Sequence, residues 1–299
     1  MSTVQQVCRC LCCRSTDCFF FFLFSICLIH GLAGNSKETW TFRSPKSRKA
    51  VFWPRDLLPK QIPRARILTY GYETDVASSH YLTQRTLYGH AKDLICELVS
   101  FREKENALDR PIVFIVHGVG GILIKSALIF SREAEFTTRP TEQSLFLATA
   151  GVVFMGTPQR RIQDSELSEI VRKIIPALHE SNFEEESAML ERQVDRYKAI
   201  GAHMPQVFCY ETKKSKGLGE VVPRDLAIPV KMEENCVAIA MPSDHLNMTK
   251  FEGLDDPGYK RIEEQLHCLY QKSVDTLAAR HQQLSKERGK VRLMPDRTH

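Results

Sequence analysis

Pro111-Ile-Val-Phe-Ile-Val-His117-Gly118-Val119-Gly120-Gly121-Ile-Leu-Ile-Lys125-Ser-Ala-Leu128 is the stretch on which the reading of this chain turns. Five apolar residues run into His-Gly-Val-Gly-Gly and then into a segment with helical spacing, so the sequence predicts a strand, a sharp turn and a helix in direct succession. That succession is the setting of a nucleophile elbow, whose usual pattern is Gly-x-Ser-x-Gly because the turn brings strand and helix backbones close together. Here Gly120 fills the second glycine position, Val116 replaces the first, and Gly118 stands in the serine slot. Glycine is physically intelligible there. The elbow nucleophile sits at a strained positive φ that costs a residue with a side chain about 1–3 kcal/mol, a strain that glycine avoids. The fold survives the exchange while the Oγ needed for acyl transfer is lost. Taken alone, the segment reads first as a tight strand-to-helix turn or a phosphate-cradling loop. The rest of the chain decides.

Outward from this segment, short runs rich in Val, Ile and Phe alternate with longer helical patterns, the signature of a parallel sheet with crossover helices. The predicted strands are Ser25–Ile29, Ala65–Tyr70, Pro111–His117, Ala150–Met155, Gln206–Tyr210 and Cys236–Ala240. Several lack polar alternation, as strands buried on both faces do. Leu87, Ala91, Leu94, Ile95 and Leu98 predict a helix over Leu87–Phe101, Gly121–Ser131 a second, and Ile162–Ile200 a charged helical insertion. After Asp256-Pro257-Gly258 a last helix is expected to reach about Lys286.

Composition sets the outer limits. A chain of 299 residues with 43% hydrophobic and 26% charged residues is globular, and a single α/β domain is the starting expectation. The formal charge of +5 lies partly in the tail (Lys286, Arg288, Lys290, Arg292, Arg297), which a solvated end explains without nucleic acid. Six of the ten cysteines fall in the first 27 residues, without the paired gaps of a zinc site, so neither a metal site nor a disulfide framework is read. The apolar run Cys18–Ile29 is too short to span a bilayer as a helix. It flows directly into His30-Gly31-Leu32 and is read as a buried strand behind a cysteine-rich leader. S-acylation or membrane association through that leader is the lesser reading.

Further patches accompany the elbow: Ile29-His30-Gly31-Leu32-Ala-Gly34, Thr39-Trp40-Thr41, Trp53-Pro-Arg-Asp56-Leu-Leu-Pro59 and Ala65-Arg-Ile-Leu-Thr-Tyr70-Gly71-Tyr72. Later come Phe154-Met-Gly156-Thr-Pro158, Cys209-Tyr-Glu211-Thr, Val222-Pro223 and Ser243-Asp244-His245-Leu-Asn-Met248-Thr-Lys-Phe251. In this order the chain resembles the esterase domains of the serine active site-containing protein family and the hydrolase domain ahead of NACHT modules in fungal proteins. The resemblance implies an α/β-hydrolase fold: a doubly wound, mostly parallel sheet with a helical insertion over the site. It divides the chain into a leader over 1–23, a hydrolase-like domain over 24–285 and a basic disordered tail over 286–299.

The resemblance, with the chain order Ser, Asp/Glu, His of this fold, also assigns roles. Gly118 holds the nucleophile position without a serine. His245 matches the general base and Glu211 its orienting acid, with Asp225 as the alternative acid. The backbone N–H groups of Leu32 and Val119 supply the oxyanion hole. Gln159-Arg160-Arg161 departs from the family's His-Arg-Gly, which puts the shape of that loop in question. Two functions follow. One is a catalytically impaired pseudoenzyme that binds an acyl, ester or lipid-like molecule or a protein partner. The other is an active hydrolase or lyase in which His245 and Glu211 activate water or move a proton. No metal, organic cofactor or nucleic acid is implied, and an intracellular location is favoured over secretion.

Overall fold

The computed structural model describes residues 2–7, 23–32, 34–73, 84–134, 140–160 and 184–292, with 163, 166, 169, 170 and 173. In chain order the strands are β1 (Thr3–Gln6), β2 (Phe24–Ile29), β3 (Thr41–Arg43), β4 (Ala50–Phe52), β5 (Ala65–Gly71), β6 (Ile112–His117), β7 (Thr149–Met155), β8 (Gln206–Glu211) and β9 (Cys236–Met241). The helices are α1 (Trp53–Asp56), α2 (Leu58–Gln61), α3 (Gln84–Lys104), α4 (Val119–Glu133), α5 (Pro140–Ala148), α6 (Glu184–Gly201), α7 (Arg224–Ala227) and α8 (Pro257–Arg292). Each strand expected from the sequence is present with its ends within one residue.

The main sheet runs β1-β5-β2-β6-β7-β8-β9, and β3 and β4 form a separate hairpin. All its pairings are parallel except that of β1 with β5. Every side chain of β2, β6 and β7 is buried, and alternate residues enter opposite cores. Phe24, Ile26, Leu28, Val113, Ile115 and Met155 pack with Trp40, Trp53, Leu58 and the α8 residues Tyr259, Ile262 and Leu266. On the other face Cys27, Ile29, Phe114, Val116 and Phe154 meet Ala91, Leu94 and Ile95 of α3, Leu123 and Ile124 of α4, and Tyr197 of α6. The sheet is doubly wound, and its period-2 apolar strands need helices on both sides to leave water.

Three expectations are revised. Thr3–Gln6, assigned to the leader, is a strand that pairs with β5, Thr3 opposite Gly71. The final helix runs to Arg292, past the expected end near Lys286; residues 293–299 lie outside the described residues, as do 8–22 of the leader. The apolar strand β9 is the sheet's edge rather than a doubly buried strand, with Val237 42% exposed and the Arg261 guanidinium donating to the Ala240 carbonyl. Of the expected insertion, α6 is described and lies along α4, Gln193 Nε2 donating to Ile122 O at 2.9 Å. Most of 161–183 is outside the described residues.

The fold has one topological switch point. From β2 the chain moves outward to β5, then returns to place β6 on the other side of β2. Loops leaving the carboxyl ends of β2 and β6 therefore diverge and leave a crevice, where ligands of open α/β sheets bind. His30-Gly31-Leu32 and Gly118 are those loops.

Candidate active site

Gly118 follows β6 at φ 51°, ψ −123°, and α4 begins at the next residue. Its N–H donates to Met155 O at 3.0 Å, and its carbonyl accepts from Gly121 N at 3.1 Å and Thr157 Oγ1 at 2.8 Å. The elbow is thus tied to the end of β7. Gly120 and Gly121 are required by close approach: a Cβ on Gly120 would run into the carbonyls of His30 and Ile29, the latter at 2.9 Å, and one on Gly121 would overlap Thr157. Gly118 differs. A Cβ there meets only His245 Nε2, at 3.7 Å, an ordinary van der Waals distance. An Oγ one bond further would lie within hydrogen-bond reach of that nitrogen.

His245 is 1% exposed in the turn after β9. Asp244 shapes the turn, its Oδ1 accepting from Leu246 N at 3.1 Å and Asn247 N at 3.0 Å. The ring lies against Gly156 (φ 58°), where a Cβ would stand 2.8 Å from Nδ1. Glu211, at the end of β8, accepts from Val221 N at 3.0 Å, Val222 N at 2.8 Å and His245 N at 3.2 Å. Its Oε1 lies 3.8 Å from His245 Nδ1, which has no hydrogen-bond partner among the described residues. Burial raises the Glu211 pKa against the three N–H bonds, and burial, with His117, lowers that of His245 well below 6.5. His245 is therefore held neutral, as a base must be.

The other assigned residues fall in two groups. Leu32 and Val119 are both 7% exposed, one after β2 and one at the first position of α4. Neither N–H donates to an acceptor among the described residues. Gly31 brings the two loops together, since a Cβ on it would lie 2.9 Å from His117 O. Asp225, the alternative acid, stands elsewhere: its carboxylate is 70% exposed and pairs with Arg160 at 2.6 Å. Glu211 is the carboxylate beside His245. Gln159 is buried; its backbone N–H donates to Leu226 O at 2.7 Å, which ties this loop to α7, and its side-chain Nε2 donates to Thr157 O at 3.1 Å. Arg161 is outside the described residues.

Three further residues, His117, Gly156 and Thr157, shape the site although the sequence assigned them no role. His117 donates Nε2–H to the His245 carbonyl at 3.0 Å, and its ring lies 4.7 Å from the His245 ring at 40°. Burial pushes its pKa down to about 4, so it too is neutral. Gly156 makes room for His245, and Thr157 holds the elbow carbonyl. For His117 the signal in the sequence was adjacency to the serine slot, and Gly156 and Thr157 stood in the Phe154-Met-Gly156-Thr-Pro158 patch. Behind them, His30 donates Nδ1–H to Gly31 O at 2.9 Å, accepts from Tyr72 N at 3.3 Å and stacks on the Tyr72 ring at 4.5 Å, which fixes the loop that carries Leu32.

A parallel sheet with an elbow at its switch point, and a carboxylate and a histidine after two later strands, defines an α/β-hydrolase fold, and this chain has it. No family model matches the chain. It is similar to Protein SERAC1 of Homo sapiens, 24% identical over 256 residues that cover 79% of this chain and 37% of that protein. Protein SERAC1 of Danio rerio is 23% identical over 254 residues, with the same shares. The chain thus spans little more than a third of the length of these relatives. Similar solved structures include a lipase of Bacillus licheniformis (14% identity, 82% of this chain and 91% of that one, TM-score 0.46). A soluble variant of monoglyceride lipase from Saccharomyces cerevisiae is another (9%, 84% and 87%, TM-score 0.47).

Proposed function

We propose that this chain is a pseudoenzyme of the α/β-hydrolase fold, which has given up its nucleophile and binds an acyl, ester or lipid-like molecule, or a protein partner, at the crevice above β2 and β6. The observation that carries the reading is the 3.7 Å from a Gly118 Cβ to His245 Nε2: the position is poised for an Oγ that glycine lacks. His245 stands as the base, Glu211 as its orienting acid, and the N–H groups of Leu32 and Val119 as oxyanion donors. Without the nucleophile such a set retains only about 10³–10⁴-fold acceleration over water, from the donors and binding. Ser126 offers no replacement, because it is buried two turns into α4 and accepts from Gln193 Nε2 at 2.6 Å.

The test is a fluorophosphonate probe on the native chain and on Gly118→Ser. The native chain stays unlabelled and turns over p-nitrophenyl acetate near background, whereas the variant is labelled and hydrolyses it. The second reading, a His245-activated water, is favoured by one observation, the neutral buried His245 still set beside Glu211. Ester turnover by the native chain that His245→Ala abolishes would establish that reading in place of the first.

A further inference from the structure

Two turns along α4 from the elbow stands a lysine that the candidate site does not use. Lys125 is 2% exposed, and its Nζ donates to Pro158 O at 3.0 Å. It faces the rings of Phe154 and Tyr197, at 5.3 and 5.6 Å from their centroids. No ion pair reaches it among the described residues, and burial alone brings its pKa down to about 7. An ammonium carries three donors, and one carbonyl leaves two unused. Beside it Tyr197 is 5% exposed, and its hydroxyl has no hydrogen-bond partner among the described residues. An apolar side chain would fill either place at lower cost in a core that needed only packing.

Both residues line a cavity of about 450 Å³ between α6, the β8–β9 edge of the sheet and the 229–233 segment. That volume is within the range of small-molecule sites. Its walls include Val194, Ala202, Phe208, Pro229 and Cys236, and Val230, 91% exposed, stands at its border. The lining charges fix the charge of an occupant. The lining holds four basic side chains, Lys125, Arg160, Lys198 and Lys231, against the two carboxylates of Asp195 and Glu233; with Arg160 paired to Asp225, a protonated Lys125 gives an excess of one positive charge.

We propose that this cavity is a second ligand site, separate from the elbow crevice, that takes a monocarboxylate with an apolar chain, its carboxylate toward Lys125 and its chain along Val194, Ala202 and Phe208. One net positive charge selects a monoanion over a phosphate dianion, and the apolar walls select a hydrocarbon body. The site is independent of the pseudoenzyme reading, because none of its residues belongs to the elbow, the Glu211–His245 pair or the two oxyanion donors.

The experiment is calorimetric titration of the full chain with octanoate, using octanol as an uncharged probe of the same chain length. Octanoate binds saturably at one site, octanol at least tenfold more weakly, and Lys125→Met lowers octanoate affinity at least tenfold. His245→Ala binds octanoate as the native chain does. The proposal is overturned if no saturable octanoate binding occurs, if octanol binds as tightly, or if Lys125→Met leaves the affinity unchanged. A loss of octanoate binding in His245→Ala would place the ligand in the elbow crevice and equally overturn it. If Lys125→Met does not fold, Lys125→Gln replaces it: a loss of at least tenfold supports the site, and an unchanged affinity overturns it.

Discussion

At Gly118 two demands on one residue have separated. The turn needs φ 51°, which glycine accepts freely, and acyl transfer needs an Oγ, which only a strained residue supplies. Gly118→Ser therefore moves activity and stability in opposite directions. It should gain ester hydrolysis while losing about 1–3 kcal/mol of unfolding free energy by urea titration. A variant that gains activity at no cost would show that the strain is absent. The pH profile of that variant is also set. His245 works only unprotonated and its pKa lies below 6.5, so kcat/KM should be flat through neutrality with its acid limb below pH 6.5. An acid limb at or above 6.5 would contradict a buried, neutral His245. At this scale the sequence carried identity but not contact. Motif order put His245 and Glu211 forward, with Asp225 as the alternative acid, and folding sets the Glu211 carboxylate rather than that of Asp225 beside His245. The bond from His117 to the carbonyl 128 residues away has no local signature.

Elements were legible wherever apolar runs were long enough to report their surroundings. The central strands β2, β6 and β7 are buried throughout, so their unbroken hydrophobicity names them. Thr3–Gln6 escaped notice because a four-residue, mostly polar edge strand has no such pattern. The hairpin of β3 and β4, three residues each, is equally silent. The junction of β6 with α4 yields a test of packing. A Cβ on Gly120 would strike two backbone carbonyls at the end of β2, which cannot rotate away as a side chain can. Gly120→Ala should cost more than about 2 kcal/mol, because strand and helix must part to admit it. Gly253→Ala, with nothing within 4 Å of its Cβ, should stay within about 0.5 kcal/mol and serves as the control. Equal urea midpoints for the two variants would refute the close approach.

For the molecule as a whole, His30, His117 and His245 are buried and held neutral, all three with lowered pKa values. Below pH 6.5 the unfolded chain takes up histidine protons that the folded chain refuses, so the histidines' contribution to stability is complete above 6.5 and falls as pH drops. Each histidine contributes a slope of up to about 1.4 kcal/mol per pH unit. For His117, with a folded pKa of about 4, the loss accumulates to roughly 3 kcal/mol between pH 6.5 and 4. Denaturant midpoints measured from pH 7 to 4.5 should fall steeply, and His117→Gln should flatten the curve. Equal slopes for the two proteins would rule out the buried neutral state of His117.

The strand order also governs time. β2 leaves the ribosome before both of its neighbours, β5 and β6, and β6 begins only at Ile112. At 5–20 residues per second, a strand ending at Ile29 waits roughly 4–17 s for its second partner. Throughout that interval Phe24–Ile29, six residues that the finished protein buries completely, has at most one flank covered. Such a segment is rich in β-forming residues and carries no charge or proline, the composition that pairs with other chains when left open. Slower translation therefore lengthens the interval in which β2 is open to such pairing.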